Sequence, residues 1–173
     1  MQEDPTLTPW RRLGETLEGS FAVRACGFLA PDFAIVGREG EEIGRLEIHG
    51  AQGAALEAGY LEARIERSAL SGYKMLTDGA EILTAEGLGA WNAPEIKCVH
   101  RLYQGRLYLL RNTAEAGPAG EWATVNITGG LTNRNYEAVF DAGDEGSLPV
   151  AFFLLYLTVA LRRKAYLTRT KSS

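Results

Sequence analysis

Residues 148–161 form a run that is apolar around its whole circumference, and this run restricts the possible folds more than any other feature. Ser147 is a suitable N-cap, Pro149 is tolerated in a first helical turn, and the cations at 162–164 suit the negative end of a helix dipole. We therefore predict a helix over residues 148–164. Fourteen apolar residues at about 1.5 Å each span roughly 21 Å, which is short of the ~30 Å of a bilayer core.

A helix without a polar face has to be surrounded, either by the rest of the protein or by lipid. Because the run is too short to cross a bilayer, we expect a buried core helix and no transmembrane segment. The alternative is a tail-anchored protein that inserts residues 148–161 into a membrane.

Short runs of β-branched and aromatic residues alternate with turn signals over residues 20–141, as is typical of antiparallel β structure. Asp78-Gly79 is the strongest hairpin signal, and Gln104-Gly105 predicts another two-residue turn between strands at 96–103 and 107–111. The pattern gives about ten to twelve strands, and barrels that enclose a helix need about eleven or more. The predicted fold is mainly β, a closed antiparallel barrel of about twelve strands around the buried C-terminal helix.

A short N-terminal helix is predicted before the first strand. Thr8 is a candidate N-cap before Pro9, and Trp10, Leu13 and Leu17 recur at helical spacing. We expect residues 1–19 to be an N-terminal extension and residues 20–173 to be the barrel domain. The first nineteen residues lack the apolar stretch of a signal peptide, so a cytoplasmic location is expected.

The segment Asp32-Phe33-Ala34-Ile35-Val36-Gly37-Arg38-Glu39-Gly40-Glu41-Glu42-Ile43-Gly44, the short hairpins after it and the apolar helix resemble the tubby C-terminal-like superfamily. That superfamily includes tubby proteins, phospholipid scramblases and plant LURP-one-related proteins. The resemblance spans roughly residues 20–166, and it implies a barrel of about twelve strands closed around a hydrophobic C-terminal helix. It also implies a binding module for a membrane headgroup or a protein partner. The sequence has no counterpart of the basic phosphoinositide pocket of tubby proteins.

Charge and composition exclude several classes of function. The net charge is −4 and the isoelectric point is about 5.3, whereas proteins that hold phosphates usually have a basic surplus. We therefore expect no nucleic-acid partner and only weak, salt-sensitive binding to anionic lipid. Cys26 and Cys98 lie in separate apolar runs and are expected to be buried free thiols.

No catalytic or metal-binding motif is evident. His100 is predicted to share a strand face with Cys98, but a structural zinc site needs four ligands. No Gly-x-Ser-x-Gly elbow occurs. Asp141, Asp144 and Glu145 could hold calcium, or they could complement the dipole of the following helix. We expect no enzyme activity, no metal and no cofactor.

Two polar groups are candidate binding residues. Asn133, Arg134 and Asn135 could bind a small anionic ligand near one barrel end, or they could build a turn. Arg162, Arg163 and Lys164 could contact a membrane surface, or they could simply end the apolar helix in water. The predicted function is a non-catalytic binding or scaffold module of tubby-like type. The alternatives are a lipocalin-like carrier of a small apolar ligand and the tail-anchored protein.

Overall fold

The computed structural model describes residues 3–27, 32–68, 72–86, 92–131 and 134–171, with side chains described as far as Arg162. Within these residues, twelve antiparallel strands close into one barrel, in which each strand pairs with its neighbours in the sequence and β12 returns to β1. The strands are β1 (Ser20–Ala25), β2 (Asp32–Val36), β3 (Glu42–Ile48), β4 (Gly53–Ala58), β5 (Leu61–Arg67), β6 (Gly72–Thr77), β7 (Ala80–Glu86), β8 (Glu95–Cys98), β9 (Arg101–Tyr108), β10 (Thr113–Pro118), β11 (Val125–Gly129) and β12 (Tyr136–Val139). The predicted closed barrel is confirmed.

The C-terminal helix α2 (Ser147–Lys171) lies inside the barrel, and it is longer than the predicted 148–164. Every residue from Leu154 to Leu157 is at most 1% exposed, so α2 has no wet face there and the predicted buried core helix is confirmed. Its backbone approaches β10 and β11 most closely. Among the described residues, no helix is both long and apolar enough to cross a membrane.

The start of α2 differs in detail from the prediction. Ser147 is the first helical residue and is not a side-chain cap, because its Oγ donates to the backbone oxygens of Asp141 and Asp144. Oδ1 of Asp144 in turn accepts a 3.1 Å hydrogen bond from the backbone N–H of Gly146. The turn before the helix is therefore fixed by its own polar groups.

One predicted turn is wrong. β9 runs straight through Gln104-Gly105, and the two-residue turn lies earlier, at Val99-His100. Gly105 faces the barrel interior, where an added Cβ would lie 3.0 Å from Cγ of Pro94 and 3.4 Å from Cδ1 of Leu154. The glycine thus makes room for α2 and does not supply turn geometry.

The sequence pattern also missed β10. Its inward-facing residues are small, with Ala114 3% exposed and Ala116 1% exposed, and Thr113 is the one residue of the segment of the β-branched kind that usually marks a strand. Small side chains are required here because the backbone of α2 comes close to this strand.

The N-terminal helix covers one end of the barrel. α1 (Thr8–Leu17) follows a 3₁₀ turn, Pro5–Leu7, which Asp4 caps by accepting from the N–H of Thr6 at 2.9 Å, so Thr8 is not the N-cap. Trp10 is 1% exposed, and its Nε1 donates to Oγ1 of Thr77 at 2.8 Å. The predicted extension thus packs directly on the barrel.

The alternation of antiparallel strands places successive connections at opposite ends of the barrel. One end, called here the α1 end, carries α1, the start of α2 and the connections 37–41, 59–60, 78–79, 99–100, 119–124 and 140–146. At the other, called here the exit end, α2 leaves the barrel beyond Val159.

Candidate functional site

The predicted ligand residues lie at the exit end. Nη1 of Arg134 donates to the backbone oxygen of Gly27 at 3.2 Å, and its guanidinium lies over the ring of Phe33, 5.2 Å from the centroid. Asn135 is exposed, and its backbone oxygen accepts from the N–H of Gly130 at 2.9 Å. Asn133 lies outside the described residues. Arg134 is thus held against the barrel wall by contacts with β2 and with the segment after β1.

The predicted membrane-facing group lies at the same end. Arg162 donates to the backbone oxygen of Gly130 at 2.9 Å and to that of Leu131 at 3.3 Å. The helical backbone continues through Arg163 and Lys164, but their side chains lie outside the described part of the chain. The structure therefore places Arg162 of the second group against the β11–β12 loop, which also carries Arg134.

Sequence reasoning missed Asn112, which joins two neighbouring loops of the exit end. Asn112 adopts a left-handed backbone with φ +53°, and its side chain is 1% exposed. Its Nδ2 donates to the backbone oxygen of Gly130 at 3.1 Å, and its own backbone oxygen accepts from Gly129 at 2.8 Å. The β9–β10 turn is thereby fixed against the β11–β12 loop.

These two loops present apolar side chains to solvent. Leu110, in the β9–β10 turn, is 85% exposed, and Leu131, in the β11–β12 loop, is 70% exposed. Arg111 follows Leu110 directly and is also exposed. A sequence scan could have found Leu110-Arg111 as an apolar–basic pair, but not its position beside Leu131.

The α1 end is strongly acidic. Its segments 3–19, 37–41, 78–79, 119–124 and 140–146 contain eleven acidic residues and only three arginines, Arg11, Arg12 and Arg38. The acidic residues are Glu3, Asp4, Glu15, Glu18, Glu39, Glu41, Asp78, Glu121, Asp141, Asp144 and Glu145.

The exit end is less acidic than the α1 end. No Asp or Glu occurs in the sequence of the six segments that connect strands at this end, 26–31, 49–52, 68–71, 87–94, 109–112 and 130–135. Among the described side chains, the cations there are Arg111, Arg134 and Arg162, and the acidic residues Asp32, Glu86 and Glu95 stand at the strand ends that border these segments. The acidic residues are therefore distributed unevenly between the connections at the two ends of the barrel.

The three carboxylates considered for calcium each have a donor within the protein. Asp144 accepts from the hydroxyl of Tyr103 at 2.6 Å, Glu145 pairs with Arg11, and Oδ1 of Asp141 accepts from the N–H of Gly143 at 2.9 Å. In the described part of the chain, no group of three His, Cys, Asp or Glu side chains is arranged to hold a metal ion.

The thiols and histidines are dispersed. Cys98 is buried, and this burial raises the pKa of its thiol to about 12, whereas Cys26 is exposed, contrary to the prediction. His100 does not share a strand face with Cys98, because β8 ends at Cys98 and His100 is exposed in the following turn. The side chain of His49 is 50% exposed.

The chain is similar in structure to a protein from Arabidopsis thaliana whose X-ray structure is known. The TM-score is 0.54 at 9% sequence identity, over 82% of this chain and 88% of the Arabidopsis chain. No protein-family model and no curated protein matches the sequence. At this identity the similarity shows a common fold alone.

Proposed function

We propose that this chain is a non-catalytic binding module of the tubby-like barrel type, which docks through its exit end on a membrane surface with anionic headgroups. The observation that carries the proposal is the pair of exposed leucines, Leu110 and Leu131, on connecting segments whose sequence contains arginine and no acidic residue. The closed barrel around a C-terminal helix is the architecture that the resemblance to the tubby-like superfamily implies, which supports placing the chain among its members.

The charge of the exit end suits an anionic surface. A Lys or Arg close to a membrane with acidic lipids contributes about 1 kcal/mol, and this attraction decays within a Debye length. At the exit end the described cations are Arg111, Arg134 and Arg162, and the connecting segments there contain no acidic residue in sequence. Half of the 22 acidic residues lie in the segments of the α1 end, at the far end of the barrel, where the electrolyte screens them from such a surface.

The two exposed leucines supply the apolar part of the contact. Full burial of a leucine side chain contributes about 1.5–3 kcal/mol. Leu110 and Leu131 lie on neighbouring loops that Asn112 fixes together, so both can enter the interfacial region without any rearrangement of the barrel. A basic surface without apolar side chains would suit a protein partner as well as a membrane. Exposed aliphatic side chains beside cations favour a membrane.

The chemistry of the described residues supports a role without catalysis. Both histidines are exposed, and neither is hydrogen-bonded to a nucleophile. The Cys98 thiol, with its pKa near 12, stays protonated at neutral pH and is a poor nucleophile.

The two alternative functions have less support. A carrier needs an internal cavity, but the space between Phe152 and the inward-facing side chains of β3–β6 is about 10 Å³, far below the volume of an apolar ligand. A tail anchor would need residues 148–161, and residues Leu148 and Val150 to Thr158 are at most 3% exposed within the barrel.

Vesicle co-sedimentation tests the proposal. The chain is mixed with vesicles of phosphatidylcholine alone or with about 30% phosphatidylserine, at about 50 and 150 mM salt. We expect binding to the anionic vesicles only, weaker at the higher salt. The double variant Leu110→Ser/Leu131→Ser should lose affinity by about tenfold or more.

The matched control changes the two exposed aromatic residues of the α1 end, Tyr60→Ser and Trp122→Ser. These side chains are 94% and 92% exposed, and the control variant should bind anionic vesicles no more weakly than the parent chain. Absence of binding to anionic vesicles at about 50 mM salt, or equal losses in the two double variants, would overturn the proposal.

A further inference from the structure

A groove runs along one side of α1, between this helix and the strands β3–β5, and has a volume of about 460 Å³. Most of its lining is apolar and comes from the N-terminal segment on one side and from the strands on the other. The apolar lining residues are Pro5, Pro9, Leu13, Ile43, Ala58 and Leu61. The groove is open to solvent, and it is large enough to accept an aromatic side chain from a partner.

The β4–β5 turn, Gly59-Tyr60, forms one wall of this groove. Tyr60 is 94% exposed, the highest value of any large apolar residue in the described part of the chain. A single exposed apolar side chain is ordinary on a protein surface, but this ring adjoins an apolar groove. Tyrosine is one of the residues that contribute most to binding where protein surfaces meet.

The groove and the turn carry opposite charges. Arg12 is the one charged residue that lines the groove, and it is exposed and forms no ion pair with a described residue. The turn is flanked by Glu57 and Glu62, which are directly opposite each other on β4 and β5 and are both exposed.

This pair of glutamates has no cation to neutralise it. Like charges directly opposite each other destabilise a strand pair, and within the described residues neither Glu57 nor Glu62 forms an ion pair. A cation supplied from outside the chain would relieve their repulsion.

We propose that two copies of this chain form a symmetric dimer, in which the β4–β5 turn of each copy enters the groove of the other. Tyr60 of one copy lies against the apolar lining of the second copy, and the glutamates beside it meet Arg12 there. The occupant is a second copy because one patch supplies both halves of the contact, an aromatic and acidic turn and an apolar groove with a cation.

Such a self-complementary patch is what a two-fold dimer requires. Each tyrosine–groove contact and each ion pair occurs twice in the dimer, and the assembly closes at two copies. Each chain has a net charge of −4, so the overall repulsion opposes the dimer at low ionic strength. Salt near the physiological concentration screens this repulsion, and the dimer is expected there.

Sedimentation velocity of the full chain at about 150 mM salt tests the dimer. Over a concentration series up to about 1 mM, the weight-average mass should rise and level off at twice the mass of one chain. A mass that stays at one chain throughout would overturn the proposal, and so would a mass that keeps rising beyond two chains.

Substitution of the exposed aromatic residue tests the apolar contact. Tyr60→Ser should weaken the dimer by about thirtyfold or more, because the contact is lost twice. The matched control is Trp122→Ser, at a 92% exposed position in the β10–β11 connection, and it should leave the dimer unchanged. Equal weakening by the two substitutions would contradict the proposed contact.

Charge reversal on each side tests the ion pairs. Arg12→Glu would face two glutamates in a dimer with itself, and Glu57→Arg/Glu62→Arg would face Arg12, so each variant alone should be monomeric. An equimolar mixture should form dimers again, because both ion pairs are restored with reversed polarity in one complex. Dimers of either variant alone would contradict the proposal. A mixture that stays monomeric, although both variants unfold cooperatively in urea, would do so too.

A control for net charge is Arg106→Glu, at an exposed position on the outer face of β9. It changes the charge of the chain by the same amount as Arg12→Glu, and it should dimerise like the parent chain. If it is monomeric as well, the loss in Arg12→Glu comes from overall repulsion, and the proposed ion pair is wrong.

The contact leaves the exit end free, so dimer formation and vesicle binding can fail independently. Arg12→Glu should be monomeric and should still bind anionic vesicles as well as Arg106→Glu does. A parent chain that dimerises but does not bind vesicles would contradict the proposed function alone.

Discussion

The hydroxyl of Tyr103 donates a 2.6 Å hydrogen bond to Oδ2 of Asp144, so β9 is tied to the turn from which α2 starts. Nη1 of Arg101 lies 3.4 Å from the same oxygen. The Asp144 side chain is 9% exposed, so water can hardly replace the protein groups that donate hydrogen bonds to this carboxylate.

Removal of the tyrosine hydroxyl should therefore destabilise the fold. We expect Tyr103→Phe to lower the free energy of unfolding by about 1–3 kcal/mol, because a nearly buried carboxylate loses a donor. Urea denaturation measures the change. The control is Tyr108→Phe, whose hydroxyl bonds Glu115 at 3.1 Å in an exposed position and should cost less than about 0.5 kcal/mol. Equal losses in the two variants would contradict the expectation.

The stability of the chain should fall at alkaline pH. Burial raises the pKa of Cys98 from 9.0 to about 12. Burial first, and the hydrogen bond to Asp144 second, raises the pKa of Tyr103 above its ordinary value of 10.0. The pKa of Tyr156 is likewise raised, by burial and by its hydrogen bond with Tyr73.

The sign of this effect follows from proton binding. Above these ordinary pKa values the unfolded chain releases protons that the folded chain retains, so the free energy of unfolding decreases as pH rises. The stabilisation is complete below about pH 9 and is lost progressively from about pH 9 to 12. Urea midpoints between pH 7 and 11 check this, and Tyr156→Phe should reduce the slope above about pH 10. A midpoint that stays constant over the whole range would be inconsistent with it.

Charges placed in α2 should be strongly destabilising in every direction around the helix. Phe153→Lys, Leu154→Lys, Leu155→Lys and Leu157→Lys each bury an unpaired cation, at positions no more than 1% exposed. We expect losses of several kcal/mol or insolubility. Thermal melts compare them with Val139→Lys on the outer face of β12, where the parent residue is 52% exposed and the change should be small. If one α2 variant has the same melting temperature as Val139→Lys, α2 has a side that faces water.

Substitution by alanine should change the stability of the fold in opposite directions at two glycines. Gly105→Ala places a Cβ 3.0 Å from Cγ of Pro94, in a packed interior, and should cost about 1–3 kcal/mol. Gly14→Ala in α1 meets only ordinary contacts, at 3.8 Å from Leu148 and 3.9 Å from Phe140. It should stabilise the chain by about 0.5–1 kcal/mol, because glycine in a helix is unfavourable. Urea denaturation of both variants measures these changes. If Gly105→Ala leaves the free energy of unfolding unchanged, Pro94 can move to make room for the added methyl group.

The role of the candidate binding residues stays a prediction, but the structure shows where they lie. Arg134 and Arg162 were identified from their neighbours in the sequence, but as two unrelated groups. The hydrogen bonds of Arg162 to Gly130 and Leu131 show that they border one loop. Asn112 and the exposed pair Leu110 and Leu131 could not be found, because their importance depends on which turns lie side by side.

The sequence by itself determined the class of fold. A run that is apolar on every side has to be buried, and residues 148–161 are too short for a bilayer, so a core helix inside a sheet was the remaining solution. Asp78-Gly79 forms the predicted turn, with φ +50° and +80°, because few other residues adopt that backbone readily.

Only the tertiary structure decided the features that depend on packing and on the position of each residue in space. Gln104-Gly105 is compatible with a turn, yet the closeness of Leu154 and Pro94 makes it part of β9. Net charge is a sum over the whole chain, whereas the field at a surface depends on where each charge lies. The antiparallel barrel sends alternate connections to opposite ends, and this collects eleven acidic residues at the α1 end in a way that no local pattern in the sequence records.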